Sequence, residues 1–540
     1  MAGPRVSLRT ARRVAVAAVV LAVLAVALPV AYKWWARCAD GVVKKGSSGE
    51  CVGVTDGSYS FDGEFDDVMR MIKAENEFVA KESERGAPYV SIAYMTTLTP
   101  GETDSNPVES VKHELQGAYL AQRRANRWDL SGKPLVRLLV ANVGSGSRYW
   151  EHTVGELIGR KSGERLVAVT GLGPSTQRNQ QAVQRLSREG VATVAGTMTA
   201  TNIREMEGFV RVAPTNANEA WAAARYLRKR ESGHRVMVVE DKARENLYAS
   251  TLSGDFTREF TEDGRRPELV VETKVFDSSL SDAWETQLSQ ISGQMCDYKH
   301  DVIYFAGRGR HLTRFLNSLA NRSRCQDRKF TVMTGDDTTN LTSDEMEQAA
   351  RNGIRVLYTG LAHPDMWKKG SRGVSPATIW YFREGGEDEG SPVAGEASKD
   401  AEKRPKRLAE LFPGDSRDDG QAMMAHDAVL TAVHGARMAA RSGIPVNGET
   451  VGGMFQVMDG DRVPGASGFL AFEEDGNPKE KAIPVLRLEQ RAEGGPDQGP
   501  EGRESAEPFL VEVVCVPQRE GTRRKPPEEC VTPGEDRAGR

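Results

Sequence analysis

From Pro88 onward, short runs of aliphatic and β-branched residues alternate with segments whose apolar positions recur every three or four residues. Such runs read as strands buried on both faces, and the longer period as helices with one buried stripe. The strand candidates are 89–95, 136–142, 166–172, 192–197, 235–241, 269–276, 302–307, 330–335 and 354–360. Helices fall between them. Val108, Val111, Leu115, Ala118 and Tyr119 share one helical face behind an Asn106-Pro107 start, and similar patterns cover 175–189, 216–229, 247–260, 282–295 and 311–321. The alternation predicts α/β architecture with parallel strands.

Nine strands make a very wide single sheet, so two doubly wound lobes are expected. FVRVAPTN at 209–216 breaks the alternation and is a candidate crossing between them. A long helix is expected over 421–441, followed by short strands at 454–459, 469–472 and 483–488. The charged stretch 384–406 reads as a solvated insertion, 491–507 as a linker, and the tail after Pro508 as held mainly by its cysteines.

Near the N-terminus, residues 14–32 form an uncharged apolar run, with Arg5, Arg9, Arg12 and Arg13 before it and Lys33, Trp34 and Trp35 after it. At 1.5 Å per residue this run just spans a hydrocarbon core of ~30 Å. The basic flank predicts a cytoplasmic start and an extracytoplasmic bulk, hence a single-pass protein of the cell membrane. A cleaved signal peptide is the competing reading, with Ala25-Val26-Ala27 as the cleavage site. Pro29 and the continuing apolar run favour an uncleaved anchor.

The chain of 540 residues is long enough for three or four units at ~150 residues each. Its 72 Lys and Arg nearly balance 76 Asp and Glu, which argues against nucleic acid as a partner. One membrane-length stretch also excludes a many-spanning carrier. The six cysteines suit an oxidising compartment. Neighbour pairing would join Cys38 to Cys51 and Cys515 to Cys530; Cys296 and Cys325 either bridge at one sheet edge or remain buried thiols.

Signatures of catalysis are sparse, and no cofactor or metal is implied. Gly155 to Ser162 falls one residue short of a phosphate loop, and Gly144-Ser145-Gly146 lacks a third glycine. His426 and His434 stand two turns apart, too far to share a metal, and Asp427 beside His426 reads as hinge or surface chemistry. Ligand binding is better supported. Ser175 and Thr176 open a helix after GLGP, where hydroxyls and free N–H groups suit a carboxylate. Thr197, Thr199 and Thr201 end the next strand, and Asp336 and Asp337 end a later one, where an acid suits an ammonium.

Residues 88–490 resemble the type I periplasmic-binding-protein family, specifically its branched-chain amino-acid receptors. The resemblance rests on an ordered series: YVSIAYMTTLTP, GLGPSTQ, FVRVAPTN, VMVVEDKARENLYAS, HDVIYFAGRGRHLTRFL, FTVMTGDD and GFLAFEEDGNPKEKAIPVLRLE. It implies two lobes joined by three crossings, near 213–216, 358–363 and 466–469, closing on a small ligand. Ahead of the resemblance, the charge and hydropathy pattern gives a basic segment 1–13, an anchor 14–35 and a Cys-bearing segment 36–87, all extra to the minimal receptor. The first lobe takes 88–213 and 361–466, the second 214–360 and 467–490, and a linker and tail fill 491–540. By the same resemblance Ser175, Thr176 and Thr199 contact the ligand from the first lobe, and Tyr248, Arg308 and Asp336 from the second. Arg308 stands where these receptors often place an aromatic residue, adding positive charge to the cleft. The expected function is that of a membrane-anchored solute-binding protein, not an enzyme, taking an amino-acid-like ligand for an ABC permease. A sensing or interaction ectodomain of the same fold is the alternative, and an anchored enzyme a distant one.

Overall fold

The computed structural model describes residues 36–489 and 507–525 apart from 102–103, 231–234, 263, 282, 339–340, 342, 368–370, 372, 384–403, 416, 517 and 521–522. Of the first 35 residues it describes Arg12, Arg13, Val16, Ala18 and Leu21, so all but three residues of the expected anchor 14–35 lie outside the described residues. No helix among the described residues is long and apolar enough to cross a membrane.

Two sheets organise the chain. The first runs Arg37–Ala39, Val42–Lys45, Glu50–Thr55, Leu135–Asn142, Tyr89–Thr96, Leu166–Gly171, Ala192–Ala195 and Phe209–Arg211. Its last five strands are parallel, as the apolar runs predicted. The second runs Val270–Phe276, Val236–Asp241, Val302–Ala306, Phe330–Thr334, Ile354–Thr359, Ala482–Glu489 and Glu507–Cys515. Its first five are parallel and its last two antiparallel.

Segments near both ends join the sheets, and the one after Pro508, expected to be held mainly by its cysteines, is held by strand pairing as well. The first three strands form an antiparallel meander that joins the first sheet beside Leu135–Asn142, with Cys38 bonded to Cys51 across it. Glu507–Cys515 pairs along Ala482–Glu489 and buries Val513 and Val514. Cys515 is disulfide-bonded, and its expected partner Cys530 lies outside the described residues. Cys296 and Cys325 are bonded to each other, so they are not thiols.

The first lobe is built around two helices, Val108–Arg127 and Gln421–Arg441. They pack so closely that a Cβ on Gly117 would overlap the carbonyl of Ala422. A helix over Asp66–Glu84, not expected from the sequence, lies against Val108–Arg127. Its buried Glu75 accepts from Arg123, Arg127 and Asn126. Residues 454–459 are not a strand: they close the helix Gly448–Phe455 and begin the 3-10 turn Met458–Gly460, because Val451 and Phe455 fall one turn apart on its buried face.

The chain leaves the first sheet at Arg211 and enters the second lobe at the helix Asn216–Arg230. It returns after Thr359. The third crossing runs later than expected, because Leu470 and Phe472 still pack in the first lobe's core and the chain enters the second sheet only at Ala482. A buried polar chain fixes this passage. Asp427 accepts from the N–H groups of Ala466 and Ser467 and from the Ser467 hydroxyl, and Lys481 donates to that same hydroxyl. His426, beside Asp427, bonds to it and to Arg124.

Candidate ligand-binding site

Strand C-termini of both sheets converge, the position at which open α/β sheets leave a crevice. On the first wall the chain turns through Gly171, Leu172 and Gly173, all with positive φ. At Gly171 a side chain would also strike the Met95 carbonyl, so glycine is required there. The turn delivers Ser175 and Thr176. Thr176 is the N-cap of Gln177–Arg188, its hydroxyl accepting from Asn179 N at 3.3 Å. Ser175 Oγ accepts from the N–H groups of Thr199 (2.9 Å) and Ala200 (3.0 Å), tying the two turns together. The Thr199 hydroxyl is buried without a partner.

On the second wall Arg308 stands immediately before the helix Gly309–Ala320 and is 8% exposed. It donates through Nη1 to Asp337 Oδ2 at 3.0 Å and through Nη2 across the cleft to the Ser175 carbonyl at 2.8 Å. Its guanidinium lies 4.8 Å from the centre of the Tyr248 ring. The Tyr248 hydroxyl accepts from Asp337 N at 3.3 Å. Arg308 therefore brings its own counter-ion, and the positive charge expected of it is matched by Asp337.

Asp336 turns to a different neighbour. Its carboxyl is hydrogen-bonded to that of Glu219, in the first turn of Asn216–Arg230. Burial, and then the adjacent Asp337 charge, push Asp336 up to about 7. Burial and Asp336 raise Glu219 as well. Two carboxyls in contact away from water cannot both ionise cheaply, so they share a proton. Glu219 Oε2 accepts from Thr359 at 2.9 Å, while Glu219 Oε1 and Asp336 Oδ1 are buried without partners.

The lobes touch directly. Gln177 N donates to the Glu245 carbonyl at 3.3 Å, Thr201 donates to Asp255 at 2.6 Å, and Asn216 N donates to the Thr199 carbonyl at 2.6 Å. All six sequence-selected residues thus lie at this junction, although Thr176 acts as a cap and Tyr248 is buried beneath Asp337. Glu219 was missed. The signal was present: an acid on the apolar stripe that Ala220, Ala223 and Leu227 bury.

Two lobes of parallel strands, crossed three times by the chain and meeting at their strand ends, define the type I periplasmic-binding-protein fold. No family model and no curated protein matches the chain. Solved structures do. The leucine-binding protein LivK of Thermotoga maritima aligns over 79% of this chain and 98% of its own, with 16% identity and a TM-score of 0.54. The substrate-binding protein LivJ of Streptococcus pneumoniae, solved with isoleucine, aligns over 78% and 100%, at 13% identity and 0.52. A solute-binding protein of R. palustris in complex with 4-hydroxybenzoate aligns over 79% and 97%, at 13% identity and 0.54. The neighbours are ABC-transporter solute-binding proteins, and the fold is theirs.

Proposed function

We propose that this chain is a membrane-anchored, extracytoplasmic solute-binding protein that closes its lobes around a small polar, amino-acid-like ligand for an ABC permease. The observation that carries the reading is the junction itself. Ser175 and Thr199 on one wall meet Arg308 and its partner Asp337 on the other, with the acid Asp336 next in the chain, at the strand ends where the fold leaves its crevice. Amino acids and aromatic acids bound by the neighbours support a ligand of this size. Ligand contacts from both lobes favour the closed state, because only there are both sets made. Calorimetry of the full chain against amino acids and aromatic acids tests the reading, and Ser175→Ala and Asp336→Ala should each weaken any ligand found. The run 14–32 with its arginine flank supports the anchor and the membrane location. Immunoblotting of the membrane fraction for an intact N-terminus tests that part.

A sensing ectodomain is the second reading. It is favoured by Arg308, whose bond to Ser175 gives closure a contribution from the chain itself. A partner that binds the closed form equally with and without Arg308 would count against it.

A further inference from the structure

The outer edge of the first sheet carries a groove of about 720 Å³, bordered by the helix Gly448–Phe455 and the segments 205–208 and 473–475. Its floor is backbone: no side chain fits at Gly448 against the Gly190 carbonyl, or at Gly452 against Gly208. Its rim is acidic. Glu205, Glu207, Glu449, Glu474 and Asp475 line it, with Arg188 as the one basic residue of the lining set. Arg204 pairs with Glu205 at 3.4 Å and lies 4.0 Å from Asp475. The side chains of Glu207, Glu449 and Glu474 are exposed and have no ion-pair or hydrogen-bond partner among the described residues.

A basic element emerges beside this groove. Val516, just past the last strand of the second sheet, lines a smaller cavity of about 280 Å³, and Asp475 belongs to the walls of both. Beyond Val516, Gln518–Glu520 pairs antiparallel with Arg523–Lys525 in a two-stranded sheet that is part of neither lobe's sheet. A hairpin this short is marginal at best in water and needs a surface to lie on. It carries Arg519, Arg523, Arg524 and Lys525 against a single acid, Glu520. From Val516 to Gly521 the chain reaches up to ~17 Å, further than a cavity of that smaller volume is wide. The hairpin can therefore pass Asp475 and lay its cations along the acids.

We propose that the groove is the seat of this chain's own C-terminal hairpin, whose Arg519, Arg523, Arg524 and Lys525 pair with Glu207, Glu449 and Glu474. The occupant follows from where the tail leaves the fold and from the matched charge. The hairpin continues from Glu507–Cys515, a strand of the second sheet, whereas the groove belongs to the first lobe. Once seated, it straps the two lobes together beside the third crossing, outside the cleft, whatever ligand the cleft takes. Exposed pairs are screened by salt, so the strap loosens as ionic strength rises.

Zero-length carbodiimide cross-linking of the full chain tests the seat, read by mass spectrometry on a mixture of isotope-labelled and unlabelled protein. Lys525 should become joined to Glu207, Glu449 or Glu474 within one chain. Limited trypsin digestion gives a second readout, because cleavage after Arg519, Arg523 and Arg524 requires the hairpin to lift. Exposed ion pairs are each worth roughly 1.5- to 5-fold in such an equilibrium, so Glu207→Gln, Glu449→Gln and Glu474→Gln combined should speed that cleavage about tenfold. All three acids are exposed, so their amides leave the fold intact. A Lys525 that links to none of the three within one chain overturns the proposal, and links between labelled and unlabelled chains instead give the groove to a second copy. Cleavage equally fast in wild type and variant overturns it as well.

Discussion

The Arg308 guanidinium and the Ser175 carbonyl, 133 residues apart in the chain, meet at 2.8 Å across the two lobes. The same guanidinium neutralises Asp337 and lies over Tyr248, so its position is set from three sides. A charge-assisted bond of this kind contributes on the order of 1.5–3 kcal/mol to whichever state contains it. Here that state is the closed one.

Removing that contact should loosen the junction. Arg308→Met keeps the length of the side chain but loses both bonds, and the closed-to-open ratio should fall roughly 10- to 100-fold. A larger radius of gyration in solution scattering, without added ligand, is the expected result. An unchanged radius would mean that the remaining cross-lobe bonds suffice.

The carboxyl pair predicts a pH dependence of stability. In the unfolded chain Asp and Glu ionise near pH 4. In the fold Asp336 holds its proton up to about 7, and Glu219 is raised in the same sense by burial and by Asp336. Glu114, buried beside Tyr94, is also pushed up to about 7. At these carboxyls the unfolded state therefore binds fewer protons than the folded one between about pH 4 and 7, and their share of stability declines as pH rises. The contribution is fully present below the unfolded values and is lost through about 7. Buried His300 and His311, held down to about 4 and about 3, pull total stability the other way over this range. Urea unfolding at pH 5 and pH 8 should therefore show the pair's share, on the order of 2 kcal/mol, as the difference between wild type and Glu219→Gln combined with Asp336→Asn.

Packing in the first lobe offers a test independent of the cleft. Gly117→Ala places a methyl group against the Ala422 backbone and forces apart the helices Val108–Arg127 and Gln421–Arg441. Overpacking of this kind costs about 1–3 kcal/mol. Thermal melts should show the loss, whereas Gly163→Ala, where a Cβ meets nothing, should leave the melting temperature nearly unchanged.

The Cys296–Cys325 bond closes a loop of 29 residues around Val302–Ala306. Substituting both cysteines by serine should destabilise the second lobe by about 2–4 kcal/mol, measured by urea unfolding under oxidising conditions. Under reducing conditions wild type and variant should converge.

The parallel core was legible in the sequence because each strand is buried on both faces and announces itself locally. The run 302–307 needs no partner to be read, and it is the strand Val302–Ala306. Glu507–Cys515 was not legible for the opposite reason. Its outer face keeps Phe509 and Val511 exposed, and its identity as a strand depends on Ala482–Glu489 beside it. The candidate site divides in the same way. Ser175 and Asp336 follow from strand ends and helix starts, which are local. That Arg308 would turn to Asp337, and that Glu219 would face Asp336, depends on how distant elements dock, and no spacing along the chain encodes that.

The meander at the start of the chain is woven into the first lobe's sheet, through Glu50–Thr55 alongside Leu135–Asn142. Whatever grips the residues ahead of Arg37 therefore grips that lobe too. On the proposed anchoring, opening would be a swing of the other half alone, carrying Arg308 away from a stationary Ser175, and a docking protein would find one fixed landmark and one that reports occupancy.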